Sequence, residues 1–394
     1  MAVLENIGYR ALTEESACEY VKSLKLFLPD EKITVEEIGD GNLNYVYRIT
    51  SNRKSVIIKQ ALPYAKVVGE SWPLTLKRAK LEAEVLKKHG EFVPHLLPAV
   101  LATDEELALT VMEDLSHLTI VRDGLIQGDH YPKLSAHIGE YLAKTLFSTS
   151  DFALHPFEKK KLVAKFSNPE LCKITEDLVF TDPFFDVETN DFEAELAEVV
   201  QQLWANDKLK LEVAKIKYAF LTEAESLLHG DLHTGSIFAS KSETKVIDPE
   251  FGFYGPIGFD VGQYIAHLIF QVLVRNGNDR IVIRQQIEEV WDVFSHYFSE
   301  AWENSVVHPF TKVPGALESF LAKVFKDAIG VVGCELIRRT IGLSHVKDLD
   351  GIEDSSIRLY VKKATIQLGS SLIINRKNIG TISQLLKELE AYTS

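Results

Sequence analysis

Residues 227–260 read LLHGDLHTGSIFASKSETKVIDPEFGFYGPIGFD. An apolar approach leads into His229-Gly230-Asp231-Leu232-His233, and a short β-like run, Lys245-Val246-Ile247, leads into Asp248-Pro249-Glu250. Two acidic points thus flank one small ribbon. Either motif alone is an ordinary turn, because Gly, Pro and Asp favour turns and carboxylates favour solvated surfaces. Their succession within one short stretch asks for a reading that uses both.

Phosphoryl transfer is such a reading, since it needs one carboxylate facing an acceptor hydroxyl and others holding Mg²⁺ against phosphates. In protein kinases the facing Asp is followed five residues later by a metal-binding Asn, and further on by a metal-binding Asp. Here Asp231 would orient the hydroxyl and accept its proton, with Asp248 at a comparable separation. Two positions depart from that pattern. Ser236 stands where the Asn is expected, a shorter neutral oxygen donor, and Asp-Pro-Glu replaces Asp-Phe-Gly. The second change adds Glu250, and Mg²⁺ takes one or two protein carboxylates alongside nucleotide oxygens.

Upstream, 33–38 and 45–50 alternate as strands around Gly39-Asp40-Gly41-Asn42-Leu43-Asn44, and Ser55-Val56-Ile57-Ile58-Lys59 reads as a third strand after a turn. Strand, glycine loop, strand, and strand ending in Lys is a phosphate-covering order, with Gly39 and Gly41 shaping the loop, Asn44 beneath it and Lys59 on the phosphates. A two-glycine segment also serves as a plain hairpin turn. Over 75–89, Leu76, Ala79, Ala83 and Leu86 recur at helical spacing with Glu82 beside them. Glu82 is the expected partner of Lys59, with Glu84 as second choice and a solvated surface Glu as the alternative. The intervening 63–73, broken by Pro and Gly, reads as irregular, and its Trp72 either pins that loop down or belongs to a lid. A strand over 107–112 then runs into Glu113-Asp114-Leu115.

Beyond about 132 the pattern turns helical, first through Leu134, Ile138, Tyr141, Leu142 and Thr145, then near 192–204, 210–227, 261–275, 282–303, 316–343, 356–372 and 382–392. The fold class expected is α+β in two lobes, a small β-rich lobe over 1–114 and a larger helical lobe over 115–394. Trp204, Trp291 and Trp302 fall in the helical part as packing residues. The mostly apolar 329–343 carries Arg338 and Arg339 side by side. Consecutive helix positions point about 100° apart, so at least one of the two faces the buried side, where an unpaired charge is costly. Either they pair with Glu335 or Asp348 or cap a loop, or they form the polar floor of a pocket.

The two acidic motifs resemble those of small-molecule phosphotransferases with a protein-kinase-like fold, the aminoglycoside and choline kinase group. The 39–44 loop, Val68-Gly69-Glu70-Ser71-Trp72-Pro73, Met112-Glu113-Asp114-Leu115-Ser116-His117 and Glu335-Leu336-Ile337-Arg338-Arg339-Thr340 are similar to the methylthioribose kinase branch, and the likeness spans most of the chain. The resemblance implies ATP and Mg²⁺ as cofactors and a neutral sugar phosphorylated at its anomeric hydroxyl, in methionine salvage. It implies that backbone groups of Glu113, Asp114 and Leu115 meet the adenine edge, and that Asp248-Pro249-Glu250 lies at the nucleotide, with Asp248 and Glu250 on the metal. It further implies that 63–73 closes nearby and that Arg338 and Arg339 bind the acceptor with Asp231, while His229, His233 and Ser236 support the loop. A homodimer is also implied. Adjacent guanidiniums would repel cationic acceptors yet donate to sugar hydroxyls, which favours a neutral or anionic acceptor. The alternatives are a kinase of another small alcohol, such as homoserine or a different sugar, and a nucleotide-binding module without transfer, for which Ser236 and the glycine loop are the motivating departures.

Composition narrows the partners. At 394 residues and 46% hydrophobic, the chain can bury the cores of two or three domains. A formal net charge of −14 without a basic cluster argues against nucleic acid. The amino-terminal residues lack an export pattern, and the longest apolar run, 261–274, is interrupted by Gln263, His267 and Gln271, so a cytoplasmic protein without a membrane partner is expected. Cys18, Cys172 and Cys334 are widely spaced and read as buried or free thiols.

Overall fold

The structure, a computed structural model, describes residues 8–38, 43–65 and 69–393. Residues up to Leu118 form one compact unit together with Lys245–Phe251, while Thr119–Thr244 and Gly252–Ser394 form a second. The expected break lay after 114, with 245–251 in the larger part. The short segment bearing Asp248 and Glu250 instead packs with the first unit, where its 3₁₀ turn Pro249–Phe251 meets a helix.

The first unit is built on an antiparallel sheet. Strands β1 (Thr34–Glu37), β2 (Asn44–Thr50), β3 (Ser55–Ala61), β4 (Tyr64–Ala65), β5 (Gly69–Pro73), β6 (Val100–Asp104) and β7 (Leu109–Glu113) follow in the chain. The main sheet has the order β1-β2-β3-β7-β6, and β4 pairs with β5 as a separate ribbon. That ribbon corrects the expectation that 63–73 lacks regular structure. Alternation in β2 and β3 sends Tyr47, Ile49, Val56 and Ile58 to one face, where Ala17 and Val21 of helix α1 (Glu14–Ser23) cover them. A Thr13–Ser16 capping box starts that helix. On β3 the alternation ends, and Lys59, Gln60 and Ala61 are all buried. Helix α2 (Lys77–Gly90) begins two residues later than its apolar pattern predicts.

The second unit is mainly helical, so the α+β expectation holds. Helix Gly258–Val274 is buried along nearly all its length and packs against Ala316–Ile341 and Gly277–Asn304. A helix occupies each stretch expected beyond 190, with ends up to five residues from the expected bounds, and the last residues of 210–227 form strand Ser226–Leu227 instead of helix. Helices Pro156–Lys165 and Pro169–Leu178, each opening on a proline, were not expected. Helices Ala316–Ile341 and Ser355–Asn375 approach closely at Gly333 and Gly369, where a Cβ on Gly333 would stand 2.6 Å from the Gly369 carbonyl oxygen. Trp302 is buried and donates to the Thr311 carbonyl at 3.0 Å, while Trp291 packs edge-on to Phe325. Among the described residues no helix is long and apolar enough to cross a membrane.

Candidate active site

In the first unit, Lys59 brings a buried ammonium that needs counter-charge. Glu82 Oε1 lies 2.9 Å from its Nζ and Asp248 Oδ1 2.7 Å. Burial pushes the Lys59 pKa down, but Asp248, Glu82 and Glu250 outweigh it, so the group stays protonated well above its ordinary range. The same burial raises the Glu82 carboxyl to about 7, with Lys59 opposing and Asp248 and Glu250 adding to the rise. Glu82 reaches inward because it shares the buried face of α2, whereas Glu84 is half-buried. Asp248 adopts φ 62°, a left-handed conformation that Asp tolerates better than most residues, and its side chain remains 42% exposed.

Arg78 is the residue that sequence reasoning missed here. It is wholly buried one helical turn before Glu82, and its Nη1 donates to both Asn44 Oδ1 and Glu250 Oε2 at 2.7 Å. Its Nη2 donates to the carbonyls of Leu62, at 2.9 Å, and Leu43. One guanidinium therefore fixes the start of β2, the residue before β4's lead-in and the Asp-Pro-Glu turn. The signal was present as an i,i+4 pair, Arg78 and Glu82, on the apolar stripe of α2.

Glu113 ends β7, with its N–H donating to the Ala99 carbonyl at 3.0 Å and its carboxylate accepting from the Ala99 N–H at 3.1 Å. The Asp114 carboxylate accepts from the N–H and hydroxyl of Ser116, at 3.0 and 3.1 Å, and Leu115 is buried. Gly39 and Gly41 lie outside the described residues, as does the side chain of Trp72, whose backbone belongs to β5.

In the second unit the stretch 229–236 is held from one side by helix Gly258–Val274. Asp260 accepts from the N–H groups of His229 and Gly230 at 2.7 and 3.0 Å, and Gln263 Oε1 accepts from the Leu232 N–H at 3.2 Å. His267 Nδ1 lies 3.5 Å from the Thr234 hydroxyl. Residues 260, 263 and 267 share one helix face, so a polar stripe in an apolar helix grips the loop. Burial raises the Asp260 carboxyl to about 7 despite those two N–H donors. Gly230 turns the loop at φ 84°, which favours glycine. The His229 Nδ1 accepts from the Asp231 N–H at 3.2 Å, and the Ser236 hydroxyl donates to the Asp231 carbonyl at 3.1 Å. Ser236 thus braces the loop.

Around the Asp231 carboxylate stand three cationic or donor groups. His233 Nε2 is 3.4 Å from Oδ2, and the Nη2 atoms of Arg338 and Arg339 are 3.7 and 3.6 Å from Oδ1. His233 Nδ1 accepts from the Gly235 N–H at 3.0 Å, which leaves the ring proton on Nε2, facing Asp231. Burial would raise the Asp231 carboxyl, yet His233 and the two arginines hold it far below the ordinary range. Burial lowers the His233 pKa, and through its Nε2–H that ring acts on Asp231 together with the charge of the two guanidiniums. Both arginines also contact Glu335, whereas Asp348 accepts from Gln271 and faces Arg122 at 3.6 Å.

A family model described as the phosphotransferase enzyme family matches residues 34–295. The chain belongs to that family. Within it, a methylthioribose kinase of Geobacillus sp. (strain WCH70) is 55% identical over 98% of this chain and 97% of its own length. One of Bacillus velezensis (strain DSM 23117 / BGSC 10A6 / LMG 26770 / FZB42) is 53% identical over 99% of each. Among solved structures, an ethanolamine kinase of Plasmodium vivax aligns with a TM-score of 0.49 and 14% identity, covering 92% of this chain and 90% of that one. The family resemblance drawn from the motifs is therefore correct, and the chain is an ATP-dependent small-molecule kinase.

Proposed function

We infer that the protein transfers the γ-phosphoryl group of ATP to the anomeric hydroxyl of 5-methylthioribose, giving 5-methylthioribose 1-phosphate and ADP. The observation that carries this is near full-length identity to methylthioribose kinases at 53–56%. In the step, the sugar oxygen forms a bond to phosphorus, the bond from phosphorus to the β,γ-bridging oxygen breaks, and the hydroxyl proton passes to Asp231. An Asp held ionised by two guanidiniums is a poor base toward a free alcohol. Its first task is to fix the direction of the hydroxyl, and it accepts the proton as bonding to phosphorus acidifies that group.

The first unit, in this reading, is the nucleotide-binding lobe and the second carries the acceptor pocket. Lys59 contacts the phosphates with Asn44, held by Arg78, nearby, backbone groups of Glu113–Leu115 meet the adenine, and the β4–β5 ribbon that carries Trp72 closes on the nucleotide. Asp248 and Glu250 present hard oxygen donors of the kind Mg²⁺ takes, and no group of three or more His, Cys, Asp or Glu is arranged for a metal among the described residues. Phosphate and water oxygens would complete the shell, and the ion would neutralise charge on the transferring group. A cytoplasmic homodimer completes the proposal on family resemblance.

The deciding experiment is ADP formation with 5-methylthioribose set against homoserine, choline and other pentoses, with the product identified by ³¹P NMR. Absence of methylthioribose-dependent turnover would sink the reading. Glu250→Gln should raise the Mg²⁺ concentration needed for half-maximal activity, and an unchanged Mg²⁺ dependence in an active variant would return Glu250 to a purely structural part.

A further inference from the structure

Arg338 and Arg339 both turn one edge of their guanidinium toward the same buried carboxylate. Arg338 Nε donates to Glu335 Oε2 at 2.6 Å and Arg339 Nε to Glu335 Oε1 at 2.8 Å, while each Nη2 faces Asp231. Adjacent helix residues diverge by about 100°, so two neighbouring forks converge only if something between them draws both inward. Glu335, at i−3 and i−4 and with no exposure, occupies that place. Two guanidiniums between two carboxylates, Glu335 and Asp231, are also electrically balanced.

The carboxylate has a third contact, at 3.1 Å from His267 Nε2. An ionised carboxylate only accepts, so His267 must donate through Nε2. Burial keeps its pKa well below ordinary, so the ring is neutral and its Nδ1 is left as the acceptor facing the Thr234 hydroxyl. A continuous chain of polar contacts then joins the 229–236 loop to the arginines.

We propose that Glu335 is a positioning residue for the acceptor, holding the two arginine forks toward Asp231 while His267 ties its carboxylate to the catalytic loop. This rests on the reading of Arg338 and Arg339 as acceptor ligands. Glu335→Gln keeps the shape and removes one accepting oxygen, so one fork loses its hold. In folded protein the acceptor KM should rise roughly ten- to hundredfold, the weight of a hydrogen bond between charged groups, with the KM for ATP unchanged. A role confined to stability would lower the melting temperature and leave that split absent. Should Glu335→Gln not fold, Glu335→Asp, which keeps the charge but withdraws it by one methylene, carries the same expectation. An unchanged acceptor KM, or equal losses for ATP and acceptor, overturns the proposal. Arg338→Lys and Arg339→Lys measured alongside separate the two levels. If they raise the acceptor KM and the Glu335 variants do not, only the Glu335 assignment fails. If they too leave it unchanged, the acceptor reading beneath it fails as well.

Discussion

Asp231 sits in surroundings that favour its charge, and this decides what its removal should do. Asp231→Asn keeps the side-chain shape and the loop contacts made by its backbone, so ATP affinity should stay within a few-fold while kcat drops roughly 10²–10⁴-fold. Steady-state kinetics with a parallel ATP-binding titration checks both. Asp260 behaves in the opposite way, because burial raises its carboxyl to about 7 in the folded chain. The native state then holds that proton more tightly than the unfolded state, and stability falls as pH rises from about 4 to 7. Asp260→Asn puts a donating NH₂ where one of the two oxygens accepts from the His229 or Gly230 N–H, so its melting temperature should be the lower one near pH 5, and because it cannot ionise the gap to the parent should narrow toward pH 7. Neither pH trend nor burial can be seen in a sequence. The letters do mark Asp231, Lys59 and Glu82, since each stands beside an apolar run at a spacing that chemistry can use.

At the level of the element, α2 and helix Gly258–Val274 do similar work by different means. Each sends polar groups inward from a face that should be apolar, which costs stability unless every group finds a partner. In α2 the partners of Arg78 are Asn44 and Glu250. Replacing Arg78 with Met leaves Glu250 buried without its guanidinium and should destabilise by about 3–5 kcal/mol. Adding Glu250→Gln should recover part of that loss, and denaturant unfolding of the two single variants and the double variant measures the coupling. The stripe of Asp260, Gln263 and His267 is written in the sequence at helical spacing, yet beside 261–274 it reads first as interruption of an apolar run. What it grips lies some thirty residues back in the chain, and no local periodicity points there. Helices Pro156–Lys165 and Pro169–Leu178 escaped for another reason, since Leu171 and Thr175 are the only fully buried positions of the second and the first buries only Lys159, leaving little stripe to read.

For the whole molecule, the order of lobes was legible because period-two alternation ends before Glu113 and helical spacing takes over from about 132. Close contacts between distant helices were not. At Gly333 and Gly369 the second unit depends on two absent side chains, and Gly333→Ala should lower the melting temperature by several degrees, because the added methyl meets backbone that cannot yield. Thermal unfolding followed by circular dichroism tests this, with Gly277→Ala a poor control because that residue has φ 56°, and Glu318→Ala a better one at an exposed position of the first turn of Ala316–Ile341.

The chain's route between units has a consequence for how the gene could be cut. Seven residues, Lys245–Phe251, belong with the first unit although 126 residues of the second, Thr119–Thr244, precede them. A polypeptide ending at Leu118 would carry Arg78 without the Glu250 carboxylate and Lys59 with Glu82 but without Asp248, so the interior charge of the first unit would be left only partly balanced. Such a fragment should show weak amide protection in β2, β3 and α2 by hydrogen exchange, and a synthetic peptide spanning 243–253, added in trans, should restore part of it. The first unit of this kinase is therefore not a cassette that recombination could lift out by a single crossover: it would have to be inherited with its distant insert or rebuilt around a different solution to the same buried charge.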